Sequence, residues 1–308
     1  MAPRTMMTHA VWISTWLAST SAMADGSPGI GPAGPIEKIA TGFQFTEGPA
    51  ADADGNLYFT DIPNNRIHKL ATDGTLNVFV EPSGHCNGLM VVGNRLLACA
   101  MDGRLTSFSL DDGAETVLAA EYNGARFNAP NDLVIDKSGG IYFTDPRFRA
   151  PDPWPQGTEA VYYRSSDGTV TRVVENEFAP NGVILSPDEA TLYVIPSGEH
   201  RMWAYPVESQ GRPGEGRVFC ELKQRKAGER SGGDGLTIDT DGNLYITSGM
   251  GVQVFDPSGK LLVIIEIPEK PANVTFGGPD RKTLYATART SLYAVSMDAK
   301  GHVFLGAE

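Results

Sequence analysis

The chain has 308 residues, 35 of them Gly and 21 Pro, with 20% charged side chains and a formal net charge of −12. Nucleic-acid binding needs clustered Lys and Arg, so this charge balance excludes it and suits cations instead. A hydrophobic content of 41% is ample for a packed core, and the Gly and Pro content implies many tight turns.

Residues 1–24 stand apart. Arg4 is their only charged side chain, an apolar stretch runs from Ala10 to Leu17, and Ala22-Met23-Ala24 offers small residues for cleavage before Asp25. This pattern predicts a secretory signal and a secreted or periplasmic protein. Residues 25–35 read as linker. Gly29-Ile30-Gly31-Pro32-Ala33-Gly34 matches GxGxxG there, but no strand precedes it and Pro32 spoils a dinucleotide turn. No stretch approaches the roughly 18 continuous apolar residues of a membrane span, so no membrane partner is expected. Cys86, Cys99 and Cys220 are too few for a disulfide scaffold, and a Cys86–Cys99 pair is left open.

From residue 36 to 308 a unit recurs: a turn rich in Asp and Gly, an apolar pair, then a strand. It reads Asp54-Gly55-Asn56-Leu57-Tyr58-Phe59-Thr60-Asp61, Gly93-Asn94-Arg95-Leu96-Leu97 and Ser138-Gly139-Gly140-Ile141-Tyr142-Phe143-Thr144-Asp145. It returns as Asp188-Glu189-Ala190-Thr191-Leu192-Tyr193, Asp241-Gly242-Asn243-Leu244-Tyr245 and Asp280-Arg281-Lys282-Thr283-Leu284-Tyr285. A period of about 40–50 residues, with several short strands per unit, is that of a β-propeller blade. The prediction is an all-β, six-bladed β-propeller, one domain where length alone would suggest two. The segment near Ile36–Ile39 is expected to close the ring as the outer strand of the last blade. A pair of β-sandwiches would not repeat sequence at this spacing.

One short strand upstream of each apolar pair stand Glu47, Asn87, Asn131, Asn181, Asp234 and Asn273. All six carry a side-chain oxygen at one repeat phase, where the innermost strands meet the channel. Taken singly, Asx-Gly pairs are turn residues. Six at one phase predict a hard-cation site, with calcium favoured and zinc or copper disfavoured because no Cys or His is among them. Glu47 and Asp234 supply two negative charges for one divalent ion. Asn273-Val274-Thr275 also fits a glycosylation sequon, but the same phase puts Asn273 in the channel, where a glycan has no room.

Phe45-Thr46-Glu47-Gly48-Pro49, Asn128-Ala129-Pro130-Asn131-Asp132-Leu133, Tyr142-Phe143-Thr144-Asp145-Pro146, Pro180-Asn181-Gly182 and Asp234-Gly235-Leu236 resemble the SMP-30/gluconolactonase/LRE-like family. The resemblance runs from about residue 37 to 296. It implies a divalent metal, usually calcium, held by Glu47, Asn131, Asn181 and Asp234, and hydrolysis of a small-molecule sugar lactone. Asn87 and Asn273 then become channel residues for substrate, and Arg126 and Asn128, just ahead of Asn131, are candidates to hydrogen-bond sugar hydroxyls. Asp234 is the expected general base, with Asp132 as competitor. Mammalian members carry Arg two positions before the metal Asn; here that position is Ala129. The alternatives are a related phosphotriesterase or arylesterase, and a non-catalytic propeller with structural calcium. Neither a GxSxG elbow nor an HExxH motif occurs. Trp154, in the proline-flanked Pro151–Gly157 insertion, marks a stiff loop over the channel or a surface turn.

Overall fold

The computed structural model describes residues 27–175, 179–226 and 232–306. The secretory signal expected at 1–24 lies outside them. Every regular element among the described residues is a β-strand, and none is a helix long and apolar enough to cross a membrane.

Among the described residues six antiparallel sheets of four or five strands follow one another around a ring, beside one two-stranded ribbon of Glu121–Tyr122 and Ala125–Arg126, so the chain is a six-bladed propeller and not a pair of sandwiches. Blade 1 runs Thr46–Ala51, Leu57–Asp61, Arg66–Leu70 and Leu76–Val80; blade 2 runs Cys86–Val92, Arg95–Ala100, Arg104–Ser109 and Glu115–Ala119. The inner strands of blades 3, 4 and 5 are Leu133–Ile135, Pro180–Leu185 and Leu236–Ile238. Blade 6 consists of Asn273–Gly277, Thr283–Ala288, Ser291–Ser296 and, outermost, Glu37–Thr41 from the start of the chain. This is the closure expected from the sequence. It joins the two ends of the ring by main-chain hydrogen bonds rather than by side chains alone.

The apolar pairs form the second strand of each blade. Leu57, Tyr58, Leu192, Leu244, Tyr245 and Leu284 are buried between neighbouring sheets. The preceding turns are built by an Asp that accepts from the residue four further on. Asn56 donates its N–H and its side-chain amide to Asp52, at 2.8 and 2.7 Å; Asn243 does the same to Asp239, at 2.8 Å each. The recurrent Asp-Gly-Asn sequence is therefore a hairpin device. Residues 25–35, read as linker, are not free from Ser27 onward. Ile30 is buried against Met297 and Ala299, and the Ala33 N–H donates to the Ser296 carbonyl at 2.8 Å.

Three of the inner strands do not run straight. Their pairing slips between Glu47 and Ala50, between Cys86 and Leu89 and between Pro180 and Val183. Such a bulge bends the strand and re-aims one side chain, here the oxygen-bearing residue of the repeat. The backbone that follows touches the next blade. The Gly88 N–H donates to the Asn131 carbonyl at 2.7 Å, the Gly182 N–H to the Asp234 carbonyl at 3.1 Å and the Gly235 N–H to the Ala272 carbonyl at 2.7 Å. Threonines of the repeat add to this ring: Thr60 donates to the Asn87 carbonyl at 3.3 Å and Thr144 to the Asn181 carbonyl at 2.7 Å. At Gly48 the contact leaves no room for a side chain, because a Cβ would run into the Asn87 carbonyl and φ is +45°.

At one end the channel is covered by the chain's last described segment. Val303, Phe304 and Leu305 lie over a cavity of about 290 Å³ walled by inner-strand residues such as Leu89, Val183 and Leu236. All three cysteines are buried and unbonded, so the Cys86–Cys99 pair is not formed; the Cys86 thiol donates instead to the Ser83 carbonyl at 2.9 Å. The core is held by packing.

Gly48→Ala must shift one blade against its neighbour and strain a left-handed backbone. We expect it to cost about 2–4 kcal/mol, read as a lower urea midpoint with an unchanged slope.

Candidate functional site

At the other end of the channel the bulged inner strands face a cavity of about 300 Å³. Glu47, Asn87, Asn131, Asn181 and Asp234 all line it. Five residues spread over almost 190 positions of sequence thus meet at one place, as their common repeat phase predicts.

Glu47, Asn181 and Asp234 are fixed by specific contacts. Glu47 accepts from its neighbour's backbone, the Gly48 N–H, at 2.9 Å. Asn181 donates from its amide nitrogen to Asp234 Oδ1 and to Ser197 Oγ, each at 2.7 Å, which commits both protons and leaves its oxygen for the cavity. Asn87 has no conventional partner for its amide oxygen, which is buried; its nitrogen meets only the Met101 sulfur, at 3.9 Å.

The segments that carry these donors are pinned by buried carboxylates. Asp61 accepts from the Gln44 and Phe45 N–H groups, at 3.1–3.3 Å, just ahead of Glu47. Asp145 accepts from the Asn128 and Ala129 N–H groups, both at 2.8 Å, just ahead of Asn131. Glu159 takes the Ala179 N–H at 3.2 Å, two residues before Asn181. The Asp closing the repeated Tyr-Phe-Thr-Asp is therefore a brace for the site, not a member of it.

Burial holds the Glu47 carboxyl well above the usual carboxylate range, and the nearby charge of Asp234 pushes it further. Burial likewise raises Asp234 to about 6, opposed by the Asn181 hydrogen bond and the charges of Lys270 and Arg289. Two carboxyl groups that disfavour each other's charge, beside an unpartnered buried amide oxygen, are the environment that a hard cation resolves. All the donors are oxygens, which fits calcium or magnesium and not a thiolate- or imidazole-seeking metal. Among the described residues no group of three or more His, Cys, Asp or Glu is placed to hold a metal. The site's donor set has two carboxylates, with the remainder amides.

The other candidates fall elsewhere. Asn273 stands behind Glu47 as a side-chain hydrogen-bond partner, while its own oxygen accepts the Val274 N–H at 2.8 Å. It lines the cavity at the covered end, so its place is to orient Glu47 rather than to meet substrate. Asn128 is fully buried. Its amide nitrogen donates to the Asp145 and Thr158 carbonyls and its oxygen accepts the Gln156 N–H, leaving nothing for a ligand. Arg126 donates to the Phe127 and Asn128 carbonyls, at 3.0 and 3.2 Å, and does not line the cavity. Neither is brought to the cavity, because both belong to the connector that the insertion at 151–157 is tied to. Asp132 also faces the covered end. One of its oxygens accepts the Leu133 N–H at 2.9 Å, and burial raises its carboxyl to about 7.

Sequence reasoning missed part of the wall. Ile62, Met101 and Ser197 line the cavity, and each stands four residues after the second member of its apolar pair. That second repeat phase was available in the sequence, but its side chains share no chemistry, so nothing marked it. Phe148 and Arg149 complete the wall from the loop after Asp145, where the repeat is interrupted and carries no signal.

Fold and site together define a six-bladed propeller whose channel mouth gathers oxygen donors suited to one divalent cation. The family model describing the SMP-30/Gluconolactonase/LRE-like region matches residues 45–290, and the chain belongs to that family. It is 31% identical over 287 residues to a gluconolactonase of Zymomonas mobilis, covering 85% of this chain and 81% of that protein. A 6-deoxy-6-sulfogluconolactonase of Pseudomonas putida is 28% identical, covering 75% of this chain and 78% of the relative. The solved structure of a gluconolactonase from Xanthomonas campestris superposes with a TM-score of 0.77 at 30% identity, over 85% of this chain and 89% of that one.

Asp145→Asn leaves one of two buried N–H groups facing an amide NH2. We expect a loss of about 1.5–3 kcal/mol in denaturant unfolding, together with weaker divalent-cation binding in calorimetry because Asn131 is no longer held.

Proposed function

We propose that the protein is a calcium-dependent hydrolase of sugar lactones, working at the open mouth of the propeller channel. The observation that carries this reading is the convergence of Glu47, Asn131, Asn181 and Asp234 on one cavity, in a chain of this family. Relatives named for gluconolactone and for a sulfonated gluconolactone support the substrate class.

Glu47, Asn131, Asn181 and Asp234 would hold the calcium, with Asn87 Oδ1 available as a further oxygen. Bound calcium supplies Lewis-acid polarisation of the lactone carbonyl and positive charge where the oxyanion develops. Asp234 accepts a proton from the water whose oxygen adds to the carbonyl carbon. Cleavage of the ring C–O bond then returns that proton to the departing alkoxide, giving the open-chain hydroxy acid. Asn181 holds one Asp234 oxygen through its amide at 2.7 Å, which fixes the direction of the proton-accepting carboxylate. Asp132 is the weaker candidate for this role, because its carboxylate caps backbone N–H groups at the covered end of the channel. Phe45, Ile62, Pro63 and Phe148 limit bulk water around the reacting ester. On the secretory pattern read at 1–24 we place the reaction outside the cytoplasm, in the periplasm or the medium.

Acid release from glucono-1,5-lactone, measured with calcium and with chelator, tests the reading. We expect turnover above the spontaneous rate that disappears on chelation and returns with calcium. Absence of turnover with calcium present would sink it, and a chelation-sensitive rate on a phosphotriester alone would redirect it. Asp234→Asn should lower kcat at least about 100-fold while the folded fraction, seen by circular dichroism, is retained. Because Glu47 and Asp234 are both held above their ordinary range, protons compete with calcium at low pH. Calcium affinity should therefore rise between pH 5 and 7.5, with proton release detectable by calorimetry in two buffers of different ionisation enthalpy. An affinity independent of pH would count against these two carboxylates as ligands.

A further inference from the structure

Positive charge gathers at the open mouth of the channel, beyond what one bound divalent cation would supply to the reacting carbonyl. Arg149 lines the cavity together with Glu47, Asn131 and Asp234. No hydrogen bond, ion pair or ring contact engages its guanidinium among the described residues. Two positions earlier, Arg147 packs within the loop, lying 4.6 Å over the Trp154 ring and 3.8 Å from Glu159. One loop therefore carries one arginine that builds it and one that it presents to the cavity.

The loop is braced rather than loose. Gln156 donates from its side chain to the Tyr122, Ala125 and Arg126 carbonyls, at 3.2, 2.7 and 3.0 Å. The Arg147 N–H is held by Glu159 at 3.0 Å. The Arg149 backbone is thus positioned before any ligand arrives, which lowers the ordering cost of binding.

The surrounding field has the same sign. Burial, and after it the charge of Arg149, disfavour protonation of His85, against the opposing charge of Asp102. Across the mouth Arg289 sits 5.4 Å over the ring of Phe45, itself a wall residue, and the charges of Arg289 and Lys270 reach Asp234. One divalent cation cancels Glu47 and Asp234, so the loaded site is left with net positive charge in a chain whose formal charge is −12. Such a local reversal concentrates anions at the cavity.

We infer that the substrate of this cavity carries an anionic substituent away from its scissile ester, a carboxylate, sulfonate or phosphate, and that Arg149 binds it. The inference rests on the lactonase reading above and deepens it to a substrate class. A guanidinium meets any of these anions through paired N–H donors, each a charge-assisted hydrogen bond.

The test compares kcat and KM of the calcium-loaded wild type, Arg149→Met and Arg149→Lys on four lactones. These are glucono-1,5-lactone, its 6-phosphate, its 6-deoxy-6-sulfonate and the 1,4-lactone of glucaric acid. In the wild type at least one anionic lactone should exceed glucono-1,5-lactone in kcat/KM, and the three arms identify which anion is read. Arg149→Met should lower kcat/KM for that substrate by roughly 10- to 100-fold, chiefly through KM. Its loss on glucono-1,5-lactone should be at least about ten times smaller, and Arg149→Lys should restore part of the difference. Equal losses on neutral and anionic lactones would mean that Arg149 serves the common reaction or its carboxylate product, and would overturn the inference. No preference for any anionic lactone would overturn it as well, while leaving the lactonase reading intact. Turnover of none of the four would remove both.

Discussion

Everything in this molecule depends on how closely six inner strands approach one axis. Five of the six blades have to place a side-chain oxygen toward the cavity while the inner backbone touches the next blade. The bulges after Glu47, Cys86 and Pro180 achieve the first, and the Gly N–H and Thr hydroxyl bonds to neighbouring carbonyls achieve the second. At Gly48 and Gly235 the next blade stands where a Cβ would be. The Asx-Gly pairs, which elsewhere are turn formers, are here the points at which the ring closes. Stability of the ring and geometry of the site are the same set of contacts.

That economy has an electrostatic consequence. Glu47 and Asp234 are drawn into a partly enclosed space where each opposes the other's ionisation. A buried charge pair of like sign destabilises the fold unless a cation, a proton or a set of hydrogen bonds offsets it. Asn181 and Asn273 offset part of it as amide donors, and a bound cation would offset the rest. Cation binding would in this way be linked to folding stability, because an ion held by these residues binds the folded ring and not the separated strands.

The two ends of the channel serve different purposes. At the open mouth, wall residues come from the inner strands, from the position after each second strand and from the braced loop that carries Phe148 and Arg149. At the other end the segment Val303–Leu305 covers the strands, and there Asp132 and Asn273 spend their side chains on holding neighbours. Residues at one repeat phase therefore have unequal roles. The bulge aims Glu47 and Asn181 at the open mouth, whereas Asn273, on an inner strand paired without a slip, stays behind Glu47.

The sequence by itself determined the architecture, the closing strand and the set of oxygen-bearing residues that meet in the channel. A propeller writes its geometry into a linear period, and each of those features is fixed by position within the repeat. Only the tertiary structure decided which of those oxygens are free. Asn128 and Arg126 looked like substrate contacts by their nearness to Asn131 in the chain, yet the Asn128 side chain is consumed by the backbone of Asp145, Gln156 and Thr158, and Arg126 is turned to the Phe127 and Asn128 carbonyls, away from the cavity. Arg149, in a stretch with no repeat signal, was invisible until the loop that carries it was placed beside the cavity. Hydrogen-bond saturation and loop position arise from contacts between residues far apart in sequence, and a repeat period carries no record of them.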